Sequence, residues 1–281
     1  MLQSHGKLAL RANRHPFVRA PRNSRVNVKA ASATETVNSP LAGKKVFLAG
    51  ATGGVGRQVL ELCVDNKVPV RALARDPESV KRLPFYKPEL VEVVKGDVGS
   101  YPSLTKAVGD ANVLICASGT SDPGDPLGPF NVDFQGTLNL LALAKQRAFQ
   151  KFVLVSSIGA DELVNFLNLF WGVLFWKRQA EREIERSGVD YTIIRPGGLK
   201  SQLREGETPG RIVMKPQNTY GVPPFVPPGK QIAGSILRRQ VAELCLAALY
   251  EPGASNKIVE VITQDDAPAL PIGQLFNEVE N

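Results

Sequence analysis

KKVFLAGATGGVGRQVL, residues 44–60, decides the fold. Val46, Phe47, Leu48 and Ala49 make a short apolar run, fit for a strand buried on both faces. Gly50, Gly53 and Gly56 follow at three-residue spacing, and Val55, Val59, Leu60 and Cys63 recur at helical spacing. Strand, glycine turn, helix is the layout that aims helix N-terminal N–H groups at a pyrophosphate. Glycine lets the backbone approach that group without a Cβ in the way. Gly50, Ala51, Thr52, Gly53, Gly54, Val55 and Gly56 are therefore expected to hold a nucleotide cofactor.

Outward from this unit, strands alternate with helical stretches. Residues 68–74 read as a second strand, stopped at Arg75-Asp76-Pro77. The end of that strand faces the adenosine ribose in a Rossmann unit, where an acidic residue suits NAD and a basic one the 2′-phosphate of NADP. Arg75, with Arg71 and Lys81 nearby, favours NADP(H), because a guanidinium matches a phosphate well. Asp76 is the competing choice for a ribose. Residues 90–94 and 112–116 read as the third and fourth strands, the latter followed by the small residues Ala117, Ser118 and Gly119, which let backbone approach a cofactor. Residues 121–129 form a Gly/Pro-rich loop over that edge. An amphipathic helix is expected over 131–150, with Val132, Leu138, Leu141, Leu143 and Ala144 inward. Residues 152–155 and 191–195 complete the parallel-strand pattern. The stretch 200–234, rich in Gly and Pro, reads as a lid or substrate loop. Residues 235–281 read as a C-terminal lobe, with Ser235 capping a helix to residue 250, a strand at 257–262 and a helix at 272–280. The expected fold is α/β, a Rossmann-like doubly wound parallel sheet with a small C-terminal lobe, spanning 44–281.

Charge is distributed unevenly. The chain has 34 basic and 27 acidic residues in 281. No Asp or Glu precedes Glu35, while Lys7, Arg11, Arg14, Arg19, Arg22, Arg25 and Lys29 all do. The net charge of +7 belongs to that segment, so the body carries no argument for nucleic acid. Residues 1–34 are Arg-rich and acid-free and lack a continuous apolar core, the composition of an organellar transit peptide. Residues 35–43 are a polar linker. Both histidines, His5 and His15, fall in the presumed transit peptide, leaving a mature chain without a His triad, a His-ligated zinc or a His base. Cys63, Cys116 and Cys245 lie far apart without CxxC spacing and read as buried reduced thiols.

With GATGGVG as its text, the glycine turn resembles that of the short-chain dehydrogenase/reductase superfamily in its extended or atypical branches, which implies NAD(P) rather than FAD. The resemblance implies an adenine contact from Asp97 and Val98 after the third strand. It implies a carbonyl-orienting serine at Ser156 or Ser157 after the fifth, and a nicotinamide-closing loop at Pro196, Gly197 and Gly198. Superfamily reductases pair a lysine with a tyrosine four residues earlier. Lys177 matches that lysine, but Val173 stands in the tyrosine's place, and no tyrosine of this chain is followed by lysine at the fourth position. A valine transfers no proton, so Ser157 and Lys177 are the remaining catalytic candidates. The blocks NLFWGVLFWK (168–177), IERSGVDYTIIRPGGL (184–199) and QVAE (240–243) narrow the resemblance to atypical dehydrogenases of plant and algal chloroplasts. Among these is the NADP-binding, dehydrogenase-like subunit of the inner-envelope translocon. The likeness runs over about 44–279 and implies an NADP(H)-binding redox sensor moving between stroma and envelope or thylakoid membranes. The chain ends without that subunit's Ser/Pro-rich C-terminal repeats, so tethering of ferredoxin–NADP reductase is not carried over.

LVNFLNLFWGVLFW, residues 163–176, is almost wholly apolar. It is short of the roughly 20 residues of a membrane span. Its reading stays open between core or dimer face, a protein or membrane-surface contact, and a span. Two functions stay open with it: a redox-reporting NADP(H) binder with little turnover, or an NADP-dependent reductase of a quinone, flavin or other small acceptor with a non-tyrosine proton donor. A structural protein with a vestigial site is the third class.

Overall fold

The inner strands of the central sheet come from mostly apolar runs buried on both faces. The computed structural model describes residues 39–280 apart from Ser121, Leu163, Phe170 and Phe225. The expected transit peptide and the first residues of the linker lie outside the described residues. Strand β1 (Val46–Ala49) is buried throughout, as are β4 (Val113–Cys116) and β5 (Lys151–Val155), with β2 (Val70–Ala74) and β3 (Val91–Lys95) completing the first half. Strand β6 (Tyr191–Pro196) follows, then the short β7 (Gly198–Lys200), β8 (Arg211–Pro216), β9 (Tyr220–Gly221), β10 (Gln231–Ile232) and β11 (Ser235–Leu237), and finally β12 (Lys257–Gln264). The eight-stranded sheet runs β3-β2-β1-β4-β5-β6-β12-β8, parallel except for the β12–β8 pair.

Helices cover both faces, as a mostly parallel sheet requires. Helices α1 (Gly54–Asp65), α6 (Arg238–Ala247) and α7 (Ile272–Glu278) close one core, which holds Val59, Leu60, Cys63, Leu244, Cys245 and Phe276. Helices α3 (Tyr101–Ala107), α4 (Thr137–Gln146) and α5 (Val173–Glu185) close the other around Leu104, Leu140, Leu143, Phe152 and Ile184. Each such aliphatic side chain contributes about 1.5–3 kcal/mol by leaving water. Helix α2 (Pro77–Lys81) is a single turn beside β2. All three cysteines are buried thiols, and burial pushes Cys63 up to about 12.

Several expectations are corrected here. The helix expected over 131–150 begins instead as a π-helical turn, Pro129–Gly136, before α4. This wide turn re-phases the helix, so that Asp133, Thr137 and Leu140 point inward while Val132 and Leu138 are only half-buried. Within the 200–234 stretch, β8 pairs antiparallel with β12 as the sheet's last strand. Ser235 caps no helix. It opens β11, which pairs with β7, and α6 starts only at Arg238. The apolar stretch 163–176 is no continuous helix either. It makes a 3-10 turn at Phe166–Leu169 and breaks at Trp171 (φ 56) and Gly172 (φ 70) before α5 begins. Two asparagine side chains draw off backbone donors: Asn165 Oδ1 accepts from the Leu167 amide at 3.0 Å and Asn168 Oδ1 from the Phe175 amide at 3.0 Å. No helix among the described residues is long and apolar enough to cross a membrane.

Candidate functional site

Strand register sets the C-terminal ends of the central strands level. Ala49 pairs with Cys116 and Cys116 with Leu154, so Gly50, Ala117 and Ser156 lie along one edge of the sheet. The chain leaves β1 toward one side and β4 toward the other. The crevice between them is the topological switch point where open α/β sheets take their ligands.

The glycines there are required by space. Gly50 has φ +87, and a Cβ on it would lie 2.5 Å from the Ala117 carbonyl carbon. A Cβ on Gly56 would fall inside the Gly50 carbonyl. Gly53 is less crowded, with a would-be Cβ 3.2 Å from that same oxygen. Gly53 is also the N-cap of α1 and no side chain caps the helix, so its leading N–H groups are open to an anion. A cradle that a Cβ would fill, closed by an uncapped helix, fits the pyrophosphate of a dinucleotide. Ala51 is buried, Thr52 exposed and Val55 buried in this turn.

Arg75 stands exposed at the end of β2 and makes no hydrogen bond or ion pair among the described residues. Its supposed helpers are engaged elsewhere. Arg71 Nε donates to the Ala107 carbonyl at 2.8 Å and its Nη1 pairs with Glu92, while Lys81 pairs with Glu78 at 2.9 Å. Asp76, the competing choice for a ribose, is the N-cap of α2: its Oδ1 accepts from the Glu78 amide at 3.1 Å. At the end of β3, Asp97 is exposed. Its Oδ1 accepts from the Gly99 amide at 2.8 Å, beside the half-buried Val98.

On the far side of the crevice, Lys177 in the second turn of α5 reaches the floor after β4. A Cβ on Gly119 would stand 3.7 Å from Lys177 Nζ and 3.3 Å from Asp133 Oδ1. The ammonium is paired with Asp133 at 2.5 Å, and that buried carboxylate also accepts from the Thr120 amide at 3.1 Å and hydroxyl at 2.7 Å. Burial alone would push the Lys177 pKa down. Asp133 outweighs it, and the ammonium ends above its ordinary range, helped by Cys116 and Glu181. With the folded pKa raised, the charge is fully present below the unfolded value of about 10.4 and is lost only above it. Cofactor affinity should therefore show no inflection from Lys177 between about pH 6 and 9 in a fluorescence titration. An inflection removed by Lys177→Met would contradict this.

At the end of β5 the two serines differ. Ser157 is half-buried and donates to the Ile158 carbonyl at 3.0 Å. Ser156 is buried, and its hydroxyl has no hydrogen-bond partner among the described residues. An orphaned buried hydroxyl just past the C-terminal end of β5 fits a group that arrives with the ligand. Pro196 ends β6, Gly197 packs against the Gly234 carbonyl too closely for any side chain, and Gly198 opens β7. The loop before α4 is fastened to the apolar stretch: Trp171 Nε1 donates to the Pro123 carbonyl at 3.0 Å. Trp176 packs on Phe130, Phe134 and Phe175 with centroids 4.9–5.3 Å apart.

Sequence reasoning missed three groups. Asp133 hid on a face read as apolar. Arg238 lies over the first turn of α1. Arg195 is wholly buried: its Nε and Nη2 bond both oxygens of buried Glu181 at 3.1 and 2.7 Å, and its Nη1 reaches Asp161 at 3.2 Å and buried Glu260 at 3.3 Å. Only long sequence separations join these partners, so no local signal marks them.

The glycine cradle has its counterpart in known proteins. A family model described as NAD(P)H-binding matches residues 50–252. The chain belongs to this NAD(P)H-binding family, within the atypical short-chain dehydrogenases/reductases. An uncharacterized chloroplastic protein of Arabidopsis thaliana is 38% identical over 248 residues, 84% of this chain and 83% of that one. The chloroplastic protein TIC 62 of the same plant is 33% identical over 254 residues, 83% of this chain but 38% of TIC 62. This chain thus spans well under half the length of that relative. Among solved structures, a Bacillus halodurans protein assigned to the NAD-dependent epimerases/dehydratases superposes with a TM-score of 0.66 at 25% identity, over 84% of this chain and all of that one.

Proposed function

We propose that this protein binds NADP(H) in the chloroplast and reports the cofactor's redox state to a partner, with little turnover. The observation that carries this reading is the pairing of Val173, one turn before Lys177, with the engagement of Lys177 by buried Asp133. The cradle is intact where the cofactor is held, and the position that would deliver a proton is hydrocarbon. In this reading the α1 N-terminus and glycine turn hold the pyrophosphate. Arg75 holds the 2′-phosphate, Asp97 and Val98 flank the adenine, and Lys177 offers its remaining donors to the nicotinamide ribose. A bound nicotinamide supplies or accepts a hydride. The chloroplast assignment rests on the chloroplastic relatives and on the acid-free, Arg-rich residues 1–34. The partner surface is the apolar stretch before α5, where Val164 is 88% and Leu169 84% exposed, beside exposed Trp171.

One observation favours turnover instead. The orphaned Ser156 hydroxyl sits at the edge where a carbonyl would be oriented, and with Ser157 or a water it could pass a proton to an acceptor as hydride is transferred. The two readings separate in one series. NADPH and NADH are titrated by energy transfer from Trp176, and bound NADPH is then offered quinones and flavins. Oxidation at a useful rate, lost on Lys177→Ala, would overturn the sensor reading. Arg75→Ala is expected to weaken NADPH by about tenfold or more and to leave NADH unchanged, since only NADPH carries the phosphate it would bind. Equal loss for both cofactors would remove Arg75 from the 2′-phosphate.

A further inference from the structure

The two adjacent arginines that open α6 have unlike surroundings. Arg239 is held among carboxylates: Glu61 at 3.2 Å, Asp65 at 3.4 Å and Glu243 at 3.7 Å. Arg238 has no carboxylate partner among the described residues. Its Nη1 donates to the Leu199 carbonyl at 3.1 Å and the Ser201 hydroxyl at 2.7 Å. Its Nε and Cδ lie against Gly54, 2.5 and 2.7 Å from where a Cβ would stand, so the side chain occupies space that only a glycine at the first position of α1 leaves free. A guanidinium is thereby laid beside a helix N-terminus that no side chain caps. Two positive ends brought together without an anion repel, and the pairing becomes favourable when an anion sits between them. The chain's membership of the NAD(P)H-binding family supplies that anion.

We infer that Arg238 is a ligand of the cofactor's pyrophosphate, reaching it from the C-terminal side of the fold while the glycine turn holds it from the other. The guanidinium lies beside Gly54 at the start of α1, and a planar fork suits two phosphate oxygens. The same side chain keeps its bonds to Leu199 and Ser201. Cofactor occupancy is thus tied to the segment that follows β7, the start of the 200–210 loop. This gives the redox-reporting reading a physical link between site and surface, yet the inference itself rests only on cofactor binding.

The test uses the full chain and four probes: NADPH, NADH, ADP-ribose and 2′-AMP. The first three contain the pyrophosphate and the last does not. Arg238→Met, which keeps the aliphatic stem, is expected to weaken the first three by a common factor of about ten or more and to leave 2′-AMP unchanged. The ligand-free melting temperature should stay within a few degrees of the parent. Unchanged ADP-ribose affinity would overturn the inference, and so would a parallel loss of 2′-AMP, which would mark general damage to the site. Should the methionine variant not fold, Arg238→Lys decides. It keeps the charge and loses the fork, so ADP-ribose should weaken severalfold with 2′-AMP untouched, and equal affinity for ADP-ribose would sink the idea. A parent chain that binds none of the four would instead defeat the cofactor reading, a result distinct from a parent that binds and an Arg238 variant that binds equally well.

Discussion

Gly56→Ala is expected to abolish detectable NADPH binding in a fluorescence titration and to lower the melting temperature by about 5 °C. The added Cβ falls inside the Gly50 carbonyl, which is backbone and cannot rotate away. To make room, α1 must back off from the turn after β1, and its N-terminal amides would leave the place where the proposed phosphate site needs them. Gly53→Ala is the control. Its Cβ would meet the same oxygen at 3.2 Å, a clash that a shift of a few tenths of an ångström relieves, so binding should weaken modestly rather than disappear. The reverse ranking, with Gly53 the more sensitive position, would mean that the turn binds by a geometry other than the one described. Wild-type-like binding by Gly56→Ala would remove the cradle from the mechanism.

That ranking also shows which part of the molecule could be read from sequence. The glycine turn and its strand are local, because the constraint lies in backbone packing within a dozen residues and leaves its mark as missing side chains. The sheet was legible for a similar reason: strands buried on both faces are written as apolar runs, and β1, β2, β4, β5 and β6 lie within a residue or two of where the runs place them. The rest depends on distance or on broken periodicity. Asp133 reaches Lys177 across 44 residues from a π-helical turn whose phase a 3.6-residue pattern does not describe. The stretch 163–176 is apolar in every direction, so its pattern carried no information about where a helix starts, and the Asn165 and Asn168 side chains and Gly172 decided it. Arg75 and Arg71 looked alike in the sequence. Arg71 lies within β2 and is drawn to Glu92 and the end of α3, whereas Arg75 lies one residue past the strand and has no partner among the described residues.

Arg195→Met should be the most destabilising single substitution, costing about 3–5 kcal/mol, with a fall in melting temperature on the order of 10 °C. Arg195 is fully buried on β6, and so are its main partners, Glu181 from α5 and Glu260 from β12. Burial by itself would lower the Arg195 pKa, but Glu181, Asp161 and Glu260 together hold the guanidinium well above its ordinary range. The balance is poorer for Glu260: burial raises its pKa more than the Tyr220 and Asn218 amides and Arg195 can lower it. With Arg195 gone, two buried carboxylates lose their cation together. Glu181 retains Arg178 at 3.2 Å, but Glu260 keeps only the Asn218 and Tyr220 amides, at 3.0 and 2.9 Å. The damage should therefore spread along β9 and β12 more than along α5, and amide exchange would show it as lost protection around residues 218–221. Glu181→Leu added to Arg195→Met should recover part of the stability by removing one stranded charge, since an apolar replacement of a buried pair costs far less than a broken one. Adding Glu260→Leu should not recover more, because it strips two buried amides of their acceptor. A melting temperature within about 3 °C of the parent for Arg195→Met would mean that water enters this cluster and that its charges need no partner. The position of α5, and with it Lys177 one turn before Glu181, would then have to be held by α5's packing against the π-helical turn instead.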